Sequence, residues 1–146
     1  MTLMGRARYV VLLDTNFLML PSHERVNVFA SVEECLQLRP RFAVLRSTVE
    51  ELRRIASEGG PKERRAALLG LELVERCGVE LVDDSAIPGD SADDKIVEYA
   101  RGTLRRGDKL VVATNDRELR RRLRELGVPV ILYRERDHRV WLDGEV

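Results

Sequence analysis

Along the chain, short continuous apolar runs alternate with stretches whose apolar residues recur at helical spacing. Tyr9–Leu13 is an uninterrupted apolar run stopped by Asp14-Thr15-Asn16, the pattern of a strand buried on both faces and ending at a polar edge. Phe42–Leu45 repeats it, and Ser47-Thr-Val-Glu50 reads as a capping box opening a helix with Val49, Leu52, Ile55 and Ala56 inward, closed at Gly59-Gly60-Pro61. A further helix is predicted from about Lys62 to Arg76, ending at Gly78, with Ala66, Leu69, Leu73 and Val74 among its apolar positions. Val79–Val82 is a third short strand, and a turn-rich loop from Asp83 to Asp90 leads to a helix from Asp93 to about Arg106. Lys109–Ala113 runs into the cap Thr114-Asn115-Asp116, and a helix from Asp116 to Leu126 buries Leu119, Leu123 and Leu126 before Gly127 ends it. Val128–Leu132 is a fifth strand, with His138–Leu142 returning as an antiparallel edge.

Strands separated by helices through short connections specify a three-layer α/β/α fold with a mainly parallel sheet. In such sheets the carboxyl ends of the strands share one rim, where ligands bind. Asp14 ends the first strand, Glu51 follows the second, Asp93 opens the helix after the third and Asp116 follows the fourth. The opposite rim, near Arg8, Arg41, Glu80 and Lys109, is mixed or basic.

Length changes this picture little: 146 residues suit a single domain, 1–146, with a core that needs no staples. Cys35 and Cys77 lack metal-site spacing and read as small buried apolar residues. The apolar run after Arg6 and Arg8 is too short for a membrane span or secretory signal, so a cytoplasmic protein without a membrane partner is expected. Lys plus Arg and Asp plus Glu are equal at 25 each, so a nucleic-acid partner would have to be held by a local patch.

Each acid has a structural explanation taken singly, because acids favour helix starts, and Ser91-x-x-Asp94 is itself a capping-box pattern. Together they would crowd negative charge onto one rim, raising one another's pKa, and a divalent cation removes that conflict. Oxygen-only ligation favours Mg²⁺ or Mn²⁺, as one ion or two. Such ions suit hydrolysis of a phosphodiester.

Val11-Leu-Leu-Asp-Thr-Asn16, Ser47-Thr-Val-Glu-Glu-Leu52, Ala92-Asp-Asp-Lys-Ile96 and Ala113-Thr-Asn-Asp-Arg-Glu-Leu119, followed by Gly127-Val-Pro-Val-Ile131, resemble in order the motifs of PIN domains. The likeness spans nearly the whole chain and is nearest to archaeal PIN proteins related to rRNA-processing nucleases, with VapC-type toxins more distant. It implies strand order 3-2-1-4-5, endoribonuclease activity on single-stranded or structured RNA, and a homodimer. It also implies that Asp14, Glu51, Asp93 and Asp116 bind the metal and carry catalysis. Asp94 is a subsidiary ligand, and Thr15, Asn16 and Thr114 orient carboxylates or water. An antitoxin or a ribosome-assembly factor is the protein partner to expect.

Five arginines, at 117, 120, 121, 122 and 124, crowd the helix after Asp116. Arg117, Arg120 and Arg121 are candidate phosphate contacts, against a purely solvated face paired with Glu118 and Glu125. No aromatic stacking platform is evident, Trp141 falls in the terminal hairpin, and His23 and His138 are expected at the surface, apart from the acids. The competing readings are a non-catalytic adaptor on the same fold, which the intact acid quartet opposes, and a phospho-receiver, which would want a lysine at the acidic rim. Lys109 stands instead at the start of its strand.

Overall fold

A computed structural model describes residues 6–146, with side chains from residue 10 onward, so the side chain of Arg8 at the basic rim lies outside the described residues. The strands are β1 (Arg6–Leu13), β2 (Arg39–Leu45), β3 (Glu80–Val82), β4 (Leu110–Ala113), β5 (Val130–Arg134) and β6 (Arg139–Asp143). They form one sheet in the order β3-β2-β1-β4-β5-β6. Every pairing is parallel except β5 with β6.

Alternation along the strands divides the core into two layers. Val11, Leu13, Phe42, Val44, Val111, Ala113 and Ile131 face one side; Leu12, Ala43, Leu45, Leu110, Val112 and Val130 face the other. The first side is covered by α1 (Thr15–His23), α2 (Val28–Leu36), α3 (Arg46–Glu58) and α4 (Pro61–Arg76). The second is covered by α5 (Ala92–Arg105) and α6 (Arg117–Glu125). No helix among the described residues is long and apolar enough to cross a membrane.

Helix α1 occupies a stretch where hydropathy alone shows no helical period, whereas α2 repeats apolar residues at helical spacing through Val28, Phe29, Val32, Cys35 and Leu36. In α1 the consecutive residues Phe17, Leu18, Met19 and Leu20 are all buried, and Pro21 lies inside the helix, so no polar stripe marks a period. Such a helix is stable only between two apolar surfaces, and α4 supplies the second. At their crossing a Cβ on Gly70 would lie 2.7 Å from the Leu18 carbonyl oxygen, so glycine is what lets the backbones approach. In α2, Asn27 caps the helix by accepting from the Ala30 amide at 3.1 Å, and Phe29 packs edge-on against Phe42 of β2.

Two expectations are corrected here. The helix α3 begins at Arg46 with Leu45, a core residue, in the capping position, so Ser47 does not form the capping box. The buried Asp84 carboxylate accepts from the Ser47 amide instead, at 3.2 Å, and Glu50 lies near Arg46 at 3.6 Å. Cys77 is exposed at the end of α4 rather than buried, while Cys35 packs partly against the core; both are free thiols. By contrast Ser91 caps α5 as its spacing predicts, accepting from the Asp94 amide at 3.1 Å.

Candidate active site

The chain leaves β1 toward β2 on one side and enters β4 and β5 on the other, so the sheet's topological switch falls between β1 and β4. Leu13 pairs in parallel with Ala113, which makes Asp14 and Thr114 emerge side by side. The Thr114 hydroxyl donates to Asp14 Oδ2 at 2.6 Å, and the Thr15 amide donates to Oδ1 at 2.8 Å. Thr15 then extends the network, its hydroxyl donating to Glu51 Oε1 of α3 at 2.6 Å. The Asp116 amide donates to Thr114 Oγ1 at 3.0 Å, and Asp116 Oδ1 caps α6 by accepting from Leu119 at 2.8 Å. Asn16 accepts from the Asn115 amide at 3.1 Å, so three residues after β1 and three after β4 interlock at one rim.

Electrostatics brings the fourth acid into the same group. Asp14 is only 4% exposed. Burial pushes its carboxyl up to about 6; the Thr114 hydroxyl and Thr15 amide hold it down, while the charges of Asp93 and Glu51 push it further up. Asp93, at the start of α5, is also raised, first by burial and then by Asp116 and Glu51, with Arg122 opposing. The four acids therefore share one field. They do not form a ready-made cage: among the described residues no three His, Cys, Asp or Glu side chains stand in metal-holding geometry. Asp14, Glu51 and Asp116 are each engaged by a hydroxyl or an amide.

The remaining sequence candidates divide. Asp94 accepts from Arg122 at 3.0 Å, which ties α5 to α6 and lowers its pKa through that hydrogen bond. Arg121 is held between Glu118 and Glu125, the solvated-face arrangement. Arg120 donates to Asp143 of β6 at 2.8 Å, yet still lines a cleft of about 340 Å³ beside the rim with Thr114, Asn115, Arg117 and Arg134. Arg117 is exposed and makes no ion pair among the described residues. A second cleft, of about 620 Å³, opens on the other side of Glu51, with Arg54 and Lys95 in its wall. Both histidines stand apart from the acids; His23 is half-buried beside Glu63 at 3.4 Å, and His138 meets the Tyr133 hydroxyl at 3.0 Å.

Two positioning residues escape pattern reading. Asn115 holds the loop after β4 to β5 by pairing with both backbone groups of Tyr133, at 2.7 and 3.1 Å, mimicking a strand partner. Asp84 is 2% exposed and joins α3 to the loop before α5: its carboxylate takes the Ser47 amide and its carbonyl the Lys95 ammonium, at 3.3 Å. Asn115 lies inside the fourth motif, which hints at it; for Asp84 no local pattern exists.

The family model described as a PIN like domain matches residues 11–136. The chain belongs to the PIN-domain family. Ribonuclease VapC4 of Methanocaldococcus jannaschii is 29% identical over 130 residues, covering 89% of this chain and 94% of that protein. Among solved structures, the PIN domain endonuclease Utp24 superposes with a TM-score of 0.74 at 24% identity, over 95% of this chain and 94% of that one. VapBC-1 from nontypeable Haemophilus influenzae gives a TM-score of 0.54 at 18% identity, covering 80% and 93%. These likenesses establish the PIN fold, and the chain's family is one of nucleases.

Proposed function

We propose that this PIN-domain chain is a metal-dependent endoribonuclease hydrolysing phosphodiester bonds of single-stranded or structured RNA. The observation that carries the reading is the hydrogen-bonded rim that gathers Asp14, Glu51 and Asp116, with the charge of Asp93 acting on the same buried Asp14. Carboxylates that burden one another in this way form a hard, oxygen-only donor set, which fits Mg²⁺ or Mn²⁺. Asp14, Glu51, Asp93 and Asp116 would hold one or two such ions, with Asp94, engaged by Arg122, in a lesser part. When bound, the ion would activate water as nucleophile and neutralise charge developing on the phosphodiester oxygens.

The chain's own groups supply orientation. Thr114 and the Thr15 amide fix both oxygens of Asp14, the Thr15 hydroxyl fixes Glu51, and Asn16 braces the loop that carries Asp116. Arg117 grips backbone phosphate next to the acids, with Arg120 in the same cleft.

The proposed biological role is ribosomal RNA processing, in keeping with the fold shared with Utp24. A toxin role in a toxin–antitoxin pair is the second reading, favoured by 29% identity over 94% of VapC4. Growth arrest on expression, relieved by the product of an adjacent gene, selects the toxin; precursor rRNA accumulating on deletion selects processing. A homodimer, with an antitoxin or ribosome-assembly factor as further partner, completes the proposal.

The deciding experiment is Asp14→Asn and Asp93→Asn, each expected to lower Mn²⁺-dependent cleavage of single-stranded RNA by about 100-fold or more while circular dichroism stays unchanged. Cleavage that persists in both variants and resists EDTA sinks the mechanism.

A further inference from the structure

The β5–β6 hairpin carries a group of side chains that the acid site does not use. Alternation puts Ile131, Tyr133, Val140 and Leu142 toward the α1 and α2 layer. By alternation the intervening residues Leu132, Arg134, Arg139 and Trp141 lie on the other face of the hairpin, and Arg139 and Trp141, on the edge strand, also line a cleft beside α2 with Ser31, Glu34 and Cys35. Leu132 pairs with Trp141 and Arg134 with Arg139, so the four form one compact patch. Two guanidiniums lie over the indole, Arg139 at 4.1 Å and Arg134 at 4.7 Å from the ring centroid.

Charge and position say what this patch fits. Arg134 lines the same cleft as Arg117 and Arg120, so the hairpin is continuous with the acidic rim. Among the described residues Arg117, Arg134 and Arg139 make no ion pair, whereas Arg120, Arg121, Arg122 and Arg124 each have a carboxylate. A guanidinium laid on an indole keeps its in-plane N–H donors free, and the stacking holds it in one orientation. Oriented forks beside aromatic and guanidinium planes suit a flexible strand that offers phosphates and unstacked bases.

We propose that this hairpin face is a second contact surface for single-stranded RNA, gripping the stretch of substrate that runs past Arg117 from the acid rim. The assignment rests on the endoribonuclease reading and extends it. Trp141 and Arg139 orient the strand here, and Arg134 joins the two surfaces.

Trp141 is the chain's one tryptophan, so its emission reports on this face alone. The full chain is titrated in EDTA with an oligomer of about twelve uridines, following tryptophan emission and, separately, the anisotropy of a labelled oligomer. Saturable quenching is expected in the wild type. The exposed double substitution Arg134→Ala with Arg139→Ala is expected to weaken binding about tenfold. It also flattens the dependence of log affinity on log salt by about 0.7 for each phosphate no longer neutralised. In cleavage assays with metal the effect falls on KM, with kcat retained. Unchanged emission and wild-type affinity in the double variant, with cleavage intact, overturn the hairpin proposal alone. Absence of RNA binding by the wild type overturns it together with the nuclease reading. Quenching by an acidic peptide but not by RNA overturns it in favour of a protein partner.

Discussion

Asp14 sits at the carboxyl end of β1 and is buried, so its carboxylate is desolvated and also feels the charges of Asp93 and Glu51. The Thr114 hydroxyl and the Thr15 amide favour its charged form. A carboxyl raised in the folded state binds its proton more tightly there than in the unfolded chain. Its contribution is therefore fully present below the ordinary carboxylate pKa and is lost as pH rises through about 6. The metal-free protein is accordingly expected to lose up to about 3 kcal/mol between pH 4 and 7 from this group, with Asp14→Asn flattening the profile. Mn²⁺ is expected to raise the melting temperature more at pH 7.5 than at pH 5, because at the lower pH a proton competes for the same oxygens. Thermal melts across pH, with and without Mn²⁺, measure both effects; an equal Mn²⁺ shift at the two pH values would remove Asp14 as a ligand. Asp14, Thr15 and Thr114 are legible in sequence because each stands at the end of an apolar run, where side-chain chemistry is not needed for packing, whereas Glu51 and Asp93 are legible only as acids in the first turns of the helices that follow β2 and β3.

Local pattern misleads most at the start of α3. Ser47-x-x-Glu50 has capping-box spacing, yet β2 passes into the helix with no turn, Leu45 stays in the core, and the free amide of Ser47 is met by Asp84. That hydrogen bond spans 37 residues, which no local pattern encodes. Asp84→Ala is expected to cost about 1–3 kcal/mol by stranding the Ser47 amide, and Asp84→Asn, which retains an acceptor, distinctly less. Because α3 carries Glu51, cleavage by the Ala variant should fall through weaker Mn²⁺ affinity and recover at high Mn²⁺. Urea denaturation and a Mn²⁺ titration of activity check the two halves, and a wild-type urea midpoint for Asp84→Ala would deny the cap its role. Helix α1 escapes pattern reading for a related reason: it is buried almost all round between sheet and α4, so its period is erased by the packing that stabilises it.

Across the whole molecule, a net charge of zero conceals separate regions: an acidic rim between β1 and β4, and beside it a cleft walled by Arg117, Arg120 and Arg134. Arg117→Ala is expected to weaken RNA binding at low salt and to reduce the salt slope by about 0.7, the amount for one phosphate on a single strand. Arg121→Ala should leave both near wild type, because Glu118 and Glu125 already hold that guanidinium. Filter binding across a salt series separates them, and equal slopes for the two variants would refute the division of labour along α6. Sequence by itself determined the parallel α/β order, the acids at the strand ends and most element boundaries, since hydrophobic period, glycine stops and motif order are written locally. Tertiary structure alone decided which arginines stay free, that Asp84 rather than Ser47 caps α3, and that Trp141 lies beneath two guanidiniums. Those outcomes depend on distances between residues far apart in the chain, set by sheet register and helix packing rather than by any neighbouring residue.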